Sequence, residues 1–345
     1  MKENTLKRDI GIDLLKILAI FGVIIIHTCN YETAIASFDW TTNLFWRSLS
    51  GAAVPLFLMA SGSMMLKTEK ELTLKKLFFK NILRIVVAMV VWGIAYKAYH
   101  LIDAGDFTLF SLWHGIKEVF LFNQEFHFYY LHIILLVYAF LPITRIIIKS
   151  ATKRQLEYLL LLWFLTGILY PTLKPFYPFN LFKGMVGEWA QNMTYTSIGY
   201  GILGYYLKRY KMPKWTELLF IISGFLIIFS GTYFMSCKMG YLYEHFLSGM
   251  GVGACFLTAG VFSLVNRVEK LPEKCEKTVS WVSKSTFCIY LVHMIVMYEM
   301  KRYGITLDGV SYIISIPAVA FINMAISSVI YLILSQIPVL KKWIV

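Results

Sequence analysis

The feature that most constrains this sequence is a series of long apolar segments that recurs from one end of the chain to the other. A membrane-spanning helix needs about 20 predominantly apolar residues, because it rises about 1.5 Å per residue through a hydrocarbon core about 30 Å thick. The chain has 345 residues, and such segments recur throughout it. We predict spanning helices near residues 11–29, 44–66, 82–102, 127–148, 156–172, 192–208, 215–235, 247–265, 280–300 and 310–335.

The composition agrees with a protein that lies mostly in lipid. Hydrophobic residues make up 58% of the chain and charged residues only 15%, whereas soluble proteins carry about 25% charged residues. No polar stretch is long enough to form a soluble domain. We therefore predict an all-α fold, a polytopic membrane helical bundle of about ten transmembrane helices, in which residues 1–345 form a single domain.

The distribution of basic residues predicts the orientation of this bundle. If the N-terminus is cytoplasmic and the spans alternate, 25 of the 33 Lys and Arg residues lie on the cytoplasmic side and 8 on the other. An excess of basic residues in short cytoplasmic loops is the usual determinant of membrane orientation. We therefore predict that the N- and C-termini are cytoplasmic. The net charge of +13 then reflects Lys and Arg residues that collect in the cytoplasmic loops of a protein embedded in the lipid bilayer, and no motif indicates a nucleic-acid partner.

The first predicted span carries three ionisable residues, which are expensive to place at membrane depth and usually mark a site. At about 100° per residue, Asp13, Lys16 and His27 share one helical face, and Asp13 and His27 are about 21 Å apart along the axis. Asp13 and Lys16 form either part of a cofactor site or an ordinary i,i+3 ion pair. Because a neutral imidazole is a common general base, His27 is either a catalytic base or an interfacial histidine with a local hydrogen bond.

A row of basic residues leads into the third predicted span. Lys76, Lys80 and Arg84 follow one another at i, i+4 and i+8, so they form one ridge on a helix. Such a ridge binds either the phosphates of a ligand or the head groups of anionic lipids. Composition alone does not separate these two interpretations.

Histidines and aromatic residues mark two later spans. His127 and Tyr130 belong to an aromatic cluster that either binds an acceptor or holds His27 in place, or else forms an interfacial aromatic belt. His293 lies in an apolar run and needs a polar partner. Because His127 and His132 are five residues apart, they are not the i,i+4 pair of a helical metal site. The cysteines also lack metal-like spacing, so we predict no metal.

Six segments together resemble the signatures of one known family. They are residues 8–16 running on to His27, residues 54–62 with Ser61, the basic pair Lys80 and Arg84, residues 127–131, residues 195–200, and residues 289–293. In this order and spacing they resemble the acyltransferase-3 family, the bacterial membrane O-acyltransferases that modify surface polysaccharides, peptidoglycan and other glycans. The resemblance covers nearly the whole chain.

The resemblance implies a multi-pass, acyl-CoA-dependent O-acyltransferase of the bacterial inner or plasma membrane. Its expected donor is cytoplasmic acetyl-CoA, and its expected acceptor is a hydroxyl on a cell-envelope or glycan molecule. His27 would be the catalytic base. The donor-binding residues would be Asp13, Lys16, Lys80 and Arg84. The residues that bind the acceptor or support the site would be Ser61, His127, Tyr130 and His293.

A second resemblance leaves an alternative function open. The chain also resembles the membrane half of the vancomycin-resistance serine racemases, which would connect it with antibiotic resistance and with a fused cytoplasmic racemase domain after the last span. In that case the buried polar face would line a path for a small amino acid such as L-serine. The absence of an internal repeat in the sequence disfavours the common transporter folds.

Overall fold

The computed structural model describes residues 8–69, 71–182, 184–306 and 309–344, and within these ranges the chain forms α-helices and no β-strand. The predicted all-α membrane bundle is therefore confirmed. In chain order, the helices are α1 (Ile10–Thr28), α2 (Phe38–Met65), α3 (Leu74–Asp103), α4 (Leu109–Phe120), α5 (Phe126–Ser150), α6 (Lys153–Leu173), α7 (Met193–Arg209), α8 (Lys214–Met239), α9 (Val252–Val265), α10 (Glu273–Arg302), α11 (Tyr312–Leu334) and α12 (Pro338–Trp343).

Nine helical segments in the described part of the chain are long and apolar enough to cross a membrane. One of them is α9 together with the turn Glu244–Leu247 that precedes it. The predicted span at 192–208 corresponds to α7, which has 17 residues. This length gives about 26 Å, somewhat less than the hydrocarbon core. Because α7 packs against α2 and α5, all ten predicted segments are helices of one bundle.

Several helices begin earlier than the apolar segments that predicted them. The second begins at Phe38 rather than near 44, where the Ser37 hydroxyl accepts the Trp40 N–H at 3.1 Å. The third begins at Leu74 rather than near 82, after Thr73 caps it in the same way. Hydropathy detects the part of a helix that lies in hydrocarbon, whereas the helix itself begins at its capping residue.

The central element of the bundle is α1, which packs against α2, α9, α10 and α11. Small residues allow these close approaches. A Cβ added to Gly22 would lie 3.0 Å from the Cβ of Ala53 on α2, and one added to Gly11 would lie 3.2 Å from the Cα of Asn266. Helices in lipid associate largely through such small-residue contacts. The packing therefore carries the polar face of α1 into the interior of the protein.

One end of the bundle is joined by a set of charged and amide side chains. Lys208 at the end of α7 lies 2.6 Å from Asp9 and donates to the amide oxygen of Asn266 at 2.5 Å. Arg267 donates to both carboxylate oxygens of the buried Glu217 at 2.9 Å. A buried carboxylate is tolerated when it is paired in this way. These five residues define what we call the network end, where α1 and α8 begin and α7 and α9 end.

We predict that the network end faces the cytoplasm, and two exposed thiols can test this. Cys275 lies at this end, because Arg8 and Asp13 bond to the same first turns of α10. Cys237 lies twenty residues after Glu217 on α8, which is about 30 Å further along the axis. A membrane-impermeant maleimide applied to intact cells should label Cys237 and not Cys275, with the variants Cys237→Ser and Cys275→Ser as matched controls. Labelling of Cys275 without permeabilisation would reverse the orientation.

Candidate active site

Three histidines from distant parts of the chain meet inside the bundle. The ring centroids of His27 and His293 are 5.4 Å apart, those of His127 and His293 are 5.1 Å apart, and those of His27 and His127 are 6.5 Å apart. His127 and His293 are fully buried, while His27 is half-buried. We call these three residues the histidine cluster. It brings together the predicted base and two of the predicted supporting residues.

Three different helices position the cluster. His27 lies in the last turn of α1, His127 in the short 3-10 turn that opens α5, and His293 in the middle of α10. The Tyr290 hydroxyl donates a hydrogen bond to the backbone carbonyl of His127. The side-chain amide of Asn323 on α11 donates to the backbone carbonyl of His293 at 2.9 Å. These bonds hold the backbone of both supporting histidines in place.

The hydrogen bonds of His293 determine its tautomer. Its Nδ1 lies 2.7 Å from the carbonyl oxygen of Tyr290 and 3.2 Å from that of Ile289. Because carbonyl oxygens only accept, Nδ1 must carry the proton, which leaves Nε2 with a free lone pair. This Nε2 and both ring nitrogens of His127 are buried and have no hydrogen-bond partner among the described residues. Buried polar atoms without partners are unusual and mark places where another polar group binds.

A cavity of about 160 Å³, which we call the histidine cavity, adjoins the cluster. His27, His127, Tyr129 and Arg47 contribute polar groups to its lining. One water molecule needs about 10–15 Å³ of such space, so the cavity has room for several water-sized groups. It can therefore hold the ends of two small polar molecules.

A second and larger cavity, of about 500 Å³, lies on the same side of the bundle as the network end. Its lining contains six basic residues, and among the described residues that line it there is no Asp or Glu. The six are Arg8, Lys16, Lys76, Lys80, Arg84 and Lys284. We call this the basic cavity. A concentration of positive charge of this kind suits a polyanionic ligand such as a chain of phosphates.

The basic ridge predicted on the third span lines this cavity, although its helix is not regular. Residues Leu77–Ile82 form a π-helical turn within α3, a feature that often occurs at functional sites. Lys76, Lys80 and Arg84 nevertheless all line the basic cavity. The Arg84 guanidinium lies over the Phe287 ring, 5.4 Å from its centroid. This contact holds the arginine against one wall of the cavity.

Asp13 has a different partner from the one that its spacing suggests. It forms an ion pair with Arg8 rather than with Lys16, and it accepts a hydrogen bond from the Ser283 hydroxyl at 2.6 Å. Asp13 is buried, whereas Arg8 and Lys16 line the basic cavity. Its carboxylate therefore positions Arg8 and joins α1 to α10, and any role toward a donor is exerted through Arg8.

The two cavities lie along α1 and share part of their walls. Lys16 lines the basic cavity and His27 the histidine cavity, and their separation of eleven residues corresponds to about 16 Å. Tyr130 and Tyr290 line both cavities, with their ring centroids 5.5 Å apart. We call this pair the tyrosine wall. Among the described residues, these two tyrosines are the ones that line both cavities.

Ser61 and Tyr130, which were both predicted to bind the acceptor or support the site, lie at different places. The Ser61 hydroxyl lies 3.1 Å from the Tyr138 hydroxyl, and both residues line the basic cavity but not the histidine cavity. Tyr130 belongs to the tyrosine wall. The close crossing of α2 and α7 positions Ser61, because a Cβ added to Gly62 would lie 2.1 Å from the carbonyl oxygen of Gly201. Ser61 is therefore nearer to the basic residues than to the histidine cluster.

Sequence reasoning missed several residues that line the two cavities. Arg8 belongs to the first segment that resembles the family, but no role was predicted for it, for Lys284 or for Arg47 beyond their contribution to the distribution of charge. A single arginine among the apolar and aromatic residues of the second span was a signal that could have indicated Arg47. Tyr290 carried no such signal, because its contact with Tyr130 depends on how α5 and α10 pack. No group of three or more His, Cys, Asp or Glu side chains within the described ranges could hold a metal ion.

Comparison with known proteins identifies the family. A family model described as an acyltransferase domain matches residues 9–332, which is nearly the whole chain. No curated protein and no solved structure matches it, and the resemblance to the serine racemases finds no support in these comparisons. The matched region contains the histidine cluster, every described residue that lines the histidine cavity, and all of those that line the basic cavity except Arg8. It also contains the described helices that are long enough to span a membrane, apart from the last two residues of α11. The chain is a multi-pass membrane protein and belongs to the acyltransferase-3 family of membrane acyltransferases.

Proposed function

We propose that this protein transfers an acetyl group from cytoplasmic acetyl-CoA to a hydroxyl of a cell-envelope or glycan acceptor. One observation carries the proposal. A single central helix, α1, has a basic cavity near one end and a histidine-lined cavity about 16 Å away, and the two share a wall. This arrangement suits a donor that has an anionic head and a reactive end at the tip of a long, thin arm.

The basic cavity supports acyl-CoA as the donor. CoA carries several phosphate charges, and Arg and Lys side chains bind phosphate through short, charge-assisted hydrogen bonds. Lys16, Lys80 and Arg84 would hold these phosphates, and Asp13 would position Arg8 beside them. If the network end is cytoplasmic, the donor head stays on the cytoplasmic side and only its thioester end reaches the histidine cavity.

The histidine cluster supports general-base catalysis. His27 would accept the proton of the acceptor hydroxyl while the hydroxyl oxygen forms a bond to the thioester carbonyl carbon. As the carbon–sulfur bond breaks, the proton on His27 can pass to the departing thiolate. His127, whose ring nitrogens have no partner among the described residues, would donate an N–H toward the carbonyl oxygen as negative charge develops there.

The size of the histidine cavity supports acetyl rather than a long acyl chain. Its volume of about 160 Å³ must hold both the acyl group and the acceptor hydroxyl. Each additional buried methylene would need further space and would force neighbouring side chains out of their preferred positions. We expect donors with long acyl chains to react poorly.

Proteoliposomes that contain the purified protein can separate acyl transfer from amino-acid transport. We expect radiolabelled acetyl-CoA added on the network-end side to acetylate an added cell-envelope glycan fraction, and we expect no uptake of radiolabelled L-serine beyond that of protein-free liposomes. The physical reason is that no Asp or Glu lies among the described residues that line either cavity, so neither cavity offers a carboxylate to the ammonium group of serine. Serine uptake without acetylation would instead favour the transporter.

A further inference from the structure

Arg47 is a positive charge inside the histidine cavity that the acyl-transfer chemistry does not use. It lies on α2, is half-buried and lines the cavity together with His27 and His127. Among the described residues that line this cavity, it is the one permanently charged side chain, and none is Asp or Glu. An arginine at membrane depth that faces a cavity is a functional-site candidate by default.

No acidic side chain among the described residues pairs with Arg47. In the part of the chain that the structure describes, Arg47 forms no ion pair, no side-chain hydrogen bond and no cation–π contact. Neither the Asp39 carboxylate nor the Glu244 carboxylate forms an ion pair with the Arg47 guanidinium at a nitrogen–oxygen distance of 4.0 Å or less. A half-buried guanidinium that has no protein partner can pair with an anion that enters the cavity.

The nearby groups that could ionise also stay neutral. Cys29 and Tyr31 follow α1 and lie within the electrostatic reach of Arg47. Burial raises the pKa of Cys29 to about 12, although the positive charge of Arg47 opposes this shift. Burial also raises the pKa of Tyr31. At neutral pH neither side chain can supply a negative charge, so the cavity keeps the full charge of the guanidinium.

We propose that Arg47 binds an oxyanion, a carboxylate or a phosphate, that is carried by the acceptor. A guanidinium matches both groups in a bidentate manner. Binding an anion there would place a neighbouring hydroxyl of the same molecule beside His27. The acceptor is therefore an acidic hydroxyl compound, such as a sugar acid or a phosphorylated polyol. The role of this acidic compound as an acceptor rests on the proposed acyl transfer. The binding of an anion by Arg47 does not depend on that transfer.

Isothermal titration calorimetry on the purified full-length protein in an uncharged detergent tests the binding. The probes are two matched pairs: methyl β-D-glucuronide with methyl β-D-glucoside, and sn-glycerol 3-phosphate with glycerol. We expect each anionic probe to bind more tightly than its neutral partner. We expect Arg47→Gln to weaken anion binding about tenfold to a hundredfold, because a charge-assisted bond is lost, while Arg47→Lys, which keeps the charge, retains part of it.

A control variant locates the anion. Lys238→Gln removes an exposed basic residue outside both cavities and should leave binding unchanged. If Arg47→Gln binds the anionic probes as tightly as the wild type, or if neither anion binds better than its neutral partner, the proposal is overturned. The comparison between the two pairs shows whether the site prefers carboxylate or phosphate.

Kinetics separate this proposal from the proposed function itself. Where the probes are acetylated, Arg47→Gln should raise KM for the anionic probes, leave kcat nearly unchanged and leave the neutral probes unaffected. A fall in kcat for anionic and neutral probes alike would indicate that Arg47 stabilises the negative charge that develops on the thioester carbonyl oxygen. That result would overturn the proposal. If the wild-type protein transfers no acetyl group, the proposed function fails. The calorimetry still decides whether Arg47 binds an anion.

Discussion

The variant His27→Gln is expected to reduce acetyl transfer by about 10²–10⁴-fold, which is the usual contribution of a general base. Glutamine keeps a polar side chain of similar reach but cannot accept the proton of the hydroxyl. Because a base acts on the transition state more than on the bound donor, affinity for acetyl-CoA should remain nearly unchanged. Initial rates with radiolabelled acetyl-CoA and calorimetry with CoA measure the two quantities separately.

His132→Gln is a matched control for this variant. His132 lies on α5 close to His127 in sequence, but it packs against Phe122 and lines neither cavity. Its substitution should leave both turnover and donor affinity unchanged. Turnover of His27→Gln within about threefold of the wild type is incompatible with a general base, and the role would then pass to His127 or His293. Loss of donor binding together with turnover would indicate a structural histidine and would strengthen the transporter alternative.

The variant Arg84→Ala is expected to weaken CoA binding about tenfold to a hundredfold. A hydrogen bond to a charged group contributes about 1.5–3 kcal/mol, and each 1.4 kcal/mol corresponds to a factor of ten in affinity. Arg84 lines the basic cavity at the end of the π-helical turn and packs on Phe287. Calorimetry with CoA measures the effect, and Arg84→Lys, which keeps the charge, should lose less affinity.

Lys75→Ala provides the matched control on the same helix. Lys75 is exposed and precedes Lys76 by one residue, but it does not line the basic cavity. We expect its affinity for CoA to equal that of the wild type. If Arg84→Ala also binds CoA normally while the protein remains folded, the basic cavity binds anionic lipid head groups instead, which was the alternative interpretation of the ridge.

These two variants should affect different kinetic quantities. Removing the His27 imidazole should lower kcat with little change in the affinity for the donor. Removing the Arg84 guanidinium should lower the affinity for the donor with a smaller effect on kcat. The reason is their separation, since the two side chains line different cavities that have only the tyrosine wall in common among the described residues. Equal effects of both variants on both quantities would contradict a division between donor binding and proton transfer.

The sequence alone determined the class of fold, the helices and the family. In lipid, every backbone N–H and C=O must be bonded within its own segment, so the length of each apolar run predicts a helix without knowledge of its neighbours. All ten predicted segments are helical. The order of short motifs indicated the acyltransferase-3 family, and the rarity of ionisable residues at membrane depth pointed to His27, His127 and His293 before their positions were known.

Only the tertiary structure decided which of these residues meet. Asp13 bonds to Ser283, which is 270 positions away, and Tyr290 bonds to the backbone of His127. The period of a helix says which face a side chain occupies but not which other helix that face touches. That choice depends on close small-residue crossings, such as Gly62 on Gly201, and on long-range hydrogen bonds.

The same reason explains why the position of Arg47 and the contact between Tyr130 and Tyr290 were not foreseen. In sequence Arg47 is an isolated charge, and in the structure it faces the histidine cavity. Tyr130 was predicted to support the site, but only the packing of α5 and α10 brings it against Tyr290 as the common wall of two cavities. Local rules determine helices in a membrane, whereas a cavity exists only between helices and is therefore a property of the packed bundle.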